Sequence, residues 1–231
     1  MTVSDGLKES LLDFTKRNDI LTIPNTLDFR LFDTVTDADL KPLCNVINLC
    51  SVGYLMKKKG FDRLILVIEN IKKKFYIPIH LKIIGDGPEM PLLKNMIEDK
   101  GLSSEVELLG ELNKDDIAQH MRQSDLFILL SRVETFGVVI IEALASGLYC
   151  IATKSGGPEY IISRDSLGEL LENTDNIDYL SERIVNVFLS EKFKVDADLR
   201  KQYVSENYSY DSFLDSFEKL ILSKYEISRD S

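Results

Sequence analysis

Short apolar runs of strand length alternate with amphipathic runs of helix length, and this rhythm limits the fold more than any other feature of the chain. "VINLCSVG" (46–53), "IHLKIIG" (79–85), "VELLG" (106–110), "DLFILLS" (125–131) and "LYCIATK" (148–154) read as buried strands, each ending near a glycine or small polar residue. Between them, "FDRLILVIENIKKKF" (61–75), "PEMPLLKNMIEDKG" (88–101) and "NKDDIAQHMRQS" (113–124) repeat apolar residues every three or four positions, as amphipathic helices do. A β-α-β-α succession predicts an α/β fold: a Rossmann-like, doubly wound parallel sheet. Past residue 175 the sequence reads as helical to its end. The segment 22–42 reads as an extended connection into the sheet. The expected division is one domain over 1–231, with a lead-in helix and connection over 1–42, an α/β core over 43–190 and C-terminal helices over 191–231.

At 231 residues, 44% of them hydrophobic, the chain is long enough to bury a substantial core. Its 28 basic and 38 acidic residues give a formal charge of −10, which argues against a nucleic-acid backbone as the main partner. An anionic ligand must therefore be held by local groups. Cys44, Cys50 and Cys150 form no C-x-x-C pair, and His80 and His120 stand far apart, so no metal-ligand spacing is recognisable and a reduced, cytoplasmic setting is expected. No apolar stretch approaches the roughly 20 residues of a transmembrane helix, and the N-terminus lacks the pattern of a signal peptide.

Ligands of open parallel sheets sit beyond the carboxyl ends of the strands, where helix N-termini offer free N–H groups. Four loops predicted there stand out: "GYLMKKKGF" (53–61), "GDGPE" (85–89), "SRVETFG" (131–137) and "KSGGPE" (154–159). Alone, each has a plain reading as a turn or a solvated loop. "GDGPE" is neither a Walker A loop nor a G-x-G-x-x-G fingerprint. Glu142 is harder to dismiss, because "GVVIIEALASG" surrounds a carboxylate with apolar residues, and an ionised carboxylate buried without a partner costs several kcal/mol. An exposed helix face is the alternative reading of that segment.

Taken in order, "VGYLMKKKGFDRL", "IIGDGPE", "VELLGELNKDDI" and "SDLFILLSRVETFGVVIIEALASGLYCIATKSGGPEYI" resemble the donor-binding half of the retaining family-four glycosyltransferases of GT-B fold. The set E-x(7)-E with F-G inside it, then E-A-x-A-x-G and G-G-x-E, carries the likeness, which extends over nearly the whole chain. The resemblance implies that Glu142 accepts hydrogen bonds from the ribose hydroxyls of a UDP- or GDP-sugar. It implies that Glu134 contacts the transferred sugar and that Lys59 offsets charge on the leaving diphosphate; these two are the catalytic candidates. Backbone N–H groups at Phe136, Gly137 and Val138 would meet sugar and diphosphate. Gly110, Glu111 and Leu112 would pack around the base, and Gly85 and Gly87 would let backbone approach the nucleotide.

The chain departs from the family pattern at Tyr54, which stands where an arginine usually shares the diphosphate. The resemblance also implies that an N-terminal acceptor domain is absent from this sequence, so that a separate acceptor-domain chain could be a partner and the isolated chain would transfer poorly or not at all. Membrane contact would then be peripheral, through that missing domain or partner. It implies no metal and no cofactor beyond the donor, transfer of a hexose to a saccharide or glycolipid hydroxyl, and a setting in polysaccharide assembly. The rival reading is a non-catalytic nucleotide- or partner-binding module derived from such an enzyme. A GT-B isomerase or phosphorylase fragment would need a base catalyst or cofactor lysine, which the sequence does not reveal.

Overall fold

The computed structural model describes residues 46–227 continuously, with residues 2, 5–15, 20, 22, 23, 25–28 and 30–33 before them. Six parallel strands form one sheet: β1 (Ile47–Val52), β2 (Ile79–Ile84), β3 (Val106–Gly110), β4 (Leu126–Leu129), β5 (Tyr149–Thr153) and β6 (Gly168–Leu171). Their order is β3-β2-β1-β4-β5-β6. The chain thus builds outward from β1 in one direction, then returns to β1's other side with β4. That reversal opens a crevice between the carboxyl ends of β1 and β4, the place where such sheets take ligands.

The helices are α1 (Asp5–Thr15), α2 (Arg30–Asp33), α3 (Phe61–Phe75), α4 (Met90–Asp99), α5 (Lys114–Gln123), α6 (Val138–Ala145), α7 (Pro158–Ile161), α8 (Ile177–Ser190), α9 (Ala197–Tyr208) and α10 (Tyr210–Ile227). They cover both faces of the sheet, and the pleat decides which side chain goes where. Leu49, Leu126 and Ile128 point to one side, with Leu64, Ile65 and Ile68 of α3 and Leu180 and Ile184 of α8. Their strand neighbours Cys50, Phe127 and Leu129 point to the other, against Met121 of α5, Ile140 and Leu144 of α6 and Val204 of α9. Burial on both faces explains why the strands read as unbroken apolar runs.

The five expected strands and the three expected helices between them lie within two residues of their predicted bounds. Three elements differ. β6 was not anticipated, because "GELL" is a four-residue edge strand carrying a charged residue. α7 starts inside what reads as the loop 154–159. The segment 22–42, expected to be extended, contains α2, held in place because Arg122 of α5 donates to the Leu31 carbonyl at 3.0 Å. Residues 34–42, the remainder of that expectation, lie outside the described residues, as does Cys44. Cys50 and Cys150 are buried free thiols whose pKa values are raised by burial.

Candidate functional site

Lys59 closes a 3-10 turn (Lys57–Lys59) between β1 and α3. The turn ends on Gly60, in the left-handed region at φ 69°, and a Cβ there would lie 1.9 Å from the Leu130 carbonyl oxygen. Only glycine lets the turn press this closely on the end of β4. The backbone N–H groups of Arg132 and Val133 donate to the Lys58 carbonyl at 2.7 and 3.2 Å, which ties the two loops together.

The loop after β4 carries Glu134, which is 8% exposed. Its N–H donates to the Ser155 carbonyl at 2.9 Å, and its Oε1 accepts from Thr135 N–H at 3.2 Å. Its Oε2 receives the Lys59 ammonium at 2.5 Å. The two catalytic candidates, 75 positions apart, therefore form one partly buried ion pair at the crevice between β1 and β4. Any anion that takes Lys59 must share it with, or detach it from, Glu134.

From the other side, the loop after β5 supports Glu134. A Cβ on Gly157 would lie 2.5 Å from the Phe136 carbonyl oxygen, and one on Gly156 would lie 3.0 Å from that of Glu134. Glu159 accepts from Gly156 N–H through both carboxylate oxygens. The G-G-x-E motif is thus a seat for the Glu134 loop. The Ser131 and Ser155 hydroxyl oxygens, at the ends of β4 and β5, are buried with no hydrogen-bond partner among the described residues.

Gly137, at φ 93°, caps α6 and turns the loop into the helix. Phe136 sends its ring into the core, edge-on to Tyr208 at 6.3 Å between centroids, so what it offers the crevice is backbone. Glu142 lies one turn beyond Val138 on the half-buried stripe of α6. No described residue gives its carboxylate a hydrogen bond. Burial pushes its pKa up to about 7, and only the positive charge of Lys114, at the start of α5, pulls it back.

Tyr54, Gly85, Gly87, Glu111 and Leu112 line one cleft of about 480 Å³ at the carboxyl ends of β1, β2 and β3, with Tyr54 59% exposed. The fold itself already calls for glycine at positions 85 and 87. A Cβ on Gly85 would meet the Gly53 carbonyl oxygen at 2.0 Å, and one on Gly87 the Leu55 oxygen at 2.4 Å. Neighbouring backbone, before any ligand, requires glycine at both. At Gly110 a Cβ would meet nothing, and its φ of 72° alone favours glycine.

A larger cavity of about 600 Å³ lies at the opposite, amino-terminal edge of the sheet, lined by Arg122 and Arg200. Arg200 donates there to the Gly147, Ser166 and Phe193 carbonyls. Among the described residues no group of three or more His, Cys, Asp or Glu side chains is placed to hold a metal ion. None of the described helices is long and apolar enough to cross a membrane.

Sequence reasoning missed the charged network behind the crevice. Arg63 is buried, and Arg132 grips Asp62 with both arms at 2.7 and 3.1 Å while also reaching Asp175 at 2.9 Å. Asp62, drawn to Arg132 and Lys57 despite its burial, is held below the usual carboxylate range. An arginine on the otherwise apolar face of α3 was the available signal.

The family model of glycosyl transferases group 1 matches residues 45–210. The chain belongs to that family. This group 1 glycosyltransferase chain is 26% identical to N-acetyl-alpha-D-glucosaminyl L-malate synthase of Bacillus anthracis, over 99% of its own length and 59% of the relative's. It is 30% identical to the phosphatidylinositol N-acetylglucosaminyltransferase gpi3 subunit of Schizosaccharomyces pombe, over 87% of its own length and 43% of the relative's. The chain therefore spans about half the length of these relatives. Among solved structures it resembles HepE of Anabaena in complex with UDP and glucose, with a TM-score of 0.83 at 21% identity, covering 96% of this chain and 62% of the other. Sucrose-phosphate synthase from Thermosynechococcus elongatus gives 0.82 at 19% identity, covering 98% and 58%. The parallel six-stranded sheet is the Rossmann-like arrangement of GT-B glycosyltransferases.

Proposed function

We propose that this chain is the nucleotide-sugar-binding domain of a glycosyltransferase that moves a hexose from a nucleoside diphosphate sugar to a saccharide or glycolipid hydroxyl with retention. The observation that carries the reading is Glu142. A carboxylate pushed up to about 7 by burial, with no hydrogen-bond partner among the described residues, is costly to the free protein and suited to a ligand with paired hydroxyls. It stands on the helix whose N-terminus opens beside Lys59 and Glu134, so ribose, diphosphate and sugar follow one another along α6.

In this scheme Lys59 turns from Glu134 toward the diphosphate. Its charge and the free N–H groups at the start of α6 offset the negative charge growing on the leaving group. Glu134, released from the ammonium, accepts from sugar hydroxyls. Glu111 and Leu112 flank the base, and no metal is needed. The acceptor comes from a further domain or a separate chain, which is also where any peripheral membrane contact arises, and the donor is drawn from the cytoplasm. The N-acetylglucosaminyl names of two relatives and the UDP bound to HepE make UDP-N-acetylglucosamine the first donor to try.

Tyr54 favours a second reading, a nucleotide- or partner-binding module without turnover. A tyrosine supplies one hydroxyl and no charge where the family pattern has arginine, and a charged hydrogen bond contributes about 1.5 to 3 kcal/mol. Sugar transfer when an acceptor-domain chain is supplied separates the two readings, and calorimetric titration with UDP, GDP and ADP and their sugar conjugates, repeated on Glu142→Ala, tests the donor site itself. The proposal expects one nucleotide to bind and its affinity to fall tenfold or more in the variant. Absence of binding at millimolar concentration by the folded chain would overturn it.

A further inference from the structure

Arg63 is 1% exposed, at a position of α3 where a leucine or methionine would fill the core without the cost of burying a charge. Its Nε donates to the Leu130 carbonyl at 2.7 Å. One terminal nitrogen donates to the Ser131 carbonyl at 2.7 Å, the Thr153 hydroxyl at 3.2 Å and Asn173 Oδ1 at 3.0 Å, and the other to the Thr174 carbonyl at 3.1 Å. The partners are the two residues that follow β4, the end of β5 and the loop after β6. Arg63 itself lies four residues beyond Lys59, in the first turn of the helix that the Lys59 turn leads into. One planar side chain thus joins the support of both catalytic candidates.

A second layer repeats the connection closer to solvent. Arg132 binds Asp62 on α3, the Lys57 carbonyl and Asp175, while its own carbonyl accepts from Asn173. Arg63 and Arg132 therefore share the 173–175 loop, which braces the Lys59 turn against the end of β4.

We propose that Arg63 is a positioning residue: its five-partner fork on the ends of β4 and β5 and the loop after β6 sets the Lys59 turn against the Glu134 loop and so fixes where the ammonium meets a donor diphosphate. The proposal rests on the reading of Lys59 and Glu134 as the donor-contacting pair. Arginine suits the task because its fork has five donors in fixed directions, whereas lysine has a single flexible ammonium.

The test is competitive acylation of the full chain with an amine-reactive ester, read lysine by lysine by peptide mass spectrometry, on the wild type and Arg63→Met. Paired and four-fifths buried, Lys59 should react at least tenfold more slowly than exposed Lys58 in the wild type. In Arg63→Met the rate at Lys59 should rise about tenfold, while Lys72, Lys73 and Lys74 at the far end of α3 keep theirs. A merely structural role would raise all of these lysines together, and that outcome, or unchanged protection of Lys59, would overturn the proposal. If Arg63→Met does not fold, Thr153→Val combined with Asn173→Ala removes two of the five partners, and the same pattern decides. In a second arm, the preference for a nucleoside diphosphate over its monophosphate should fall about tenfold in Arg63→Met, with monophosphate affinity unchanged. Should the wild type bind no nucleotide, the proposed function fails, and the acylation pattern still decides the role of Arg63.

Discussion

Glu142→Gln should make the ligand-free protein more stable at pH 8 while weakening its hold on a nucleotide. The carboxyl titrates at about 7 in the folded chain against 4.5 when unperturbed, and burial is the cause. An acid whose folded pKa is raised leaves stability intact below the unfolded value and removes it as pH climbs through the folded one. The loss therefore begins near pH 4.5 and is complete above about 7. At about 1.4 kcal/mol per pH unit between the two values, the penalty at pH 8 is about 3 kcal/mol. Glutamine keeps the shape, carries no charge and avoids it. Urea unfolding of wild type and variant at pH 5 and pH 8 measures the difference. The variant should gain about 3 kcal/mol over wild type at pH 8 and just under about 1 at pH 5, or roughly 6 to 12 °C in Tm at the higher pH. A variant no more stable than wild type at pH 8, or equally more stable at both, would refute the claim of an unpartnered, desolvated carboxylate.

The proposed ribose contact uses the ionised form of Glu142, so nucleotide affinity should rise from pH 6 to pH 8 by about tenfold in the wild type and stay flat in Glu142→Gln; calorimetry at three pH values checks this. Lys59→Ala should lower affinity for a nucleoside diphosphate by tenfold or more and affinity for the nucleoside by less than twofold. Tyr54→Arg, which restores the charge of the family pattern at the mouth of the cleft, should tighten diphosphate binding by tenfold or more, and a loss of affinity would show that Tyr54 contributes in its own right. Gly157→Ala sets a Cβ 2.5 Å from the Phe136 carbonyl and should cost about 1 to 3 kcal/mol by thermal unfolding, together with nucleotide binding, because the Glu134 loop must move.

The sheet was legible because it is buried on both faces. Runs such as "DLFILLS" cannot satisfy solvent on either side, and turn residues mark their ends. β6 escaped notice because four residues at a sheet edge, one of them Glu169, carry too little pattern, and α2 because tertiary contact rather than its own periodicity holds it. Of the site, the E-x(7)-E spacing puts Glu134 in the loop after β4 and Glu142 in the second turn of α6. Their chemistry was less legible than their position. That Lys59 and Glu134 neutralise each other depends on a β1–β4 adjacency that sequence order conceals. The partners of Arg63 were hidden for the same reason, since they lie 67 to 111 residues further along. Gly85 and Gly87 stand out by type, but that the Gly53–Leu55 backbone also forbids a side chain there is visible only in the fold.

The central claim is that a nucleoside diphosphate lies along the crevice from the β1–β3 cleft to the start of α6. The most direct measurement is backbone amide shift mapping of the isotopically labelled chain titrated with UDP. The account predicts saturable shifts at Gly53–Gly60, Gly110–Lys114 and Glu134–Glu142, with the amino-terminal edge around Arg122 and Arg200 silent. Shifts centred on that opposite edge, or a nucleotide that perturbs none of the three segments, would contradict it.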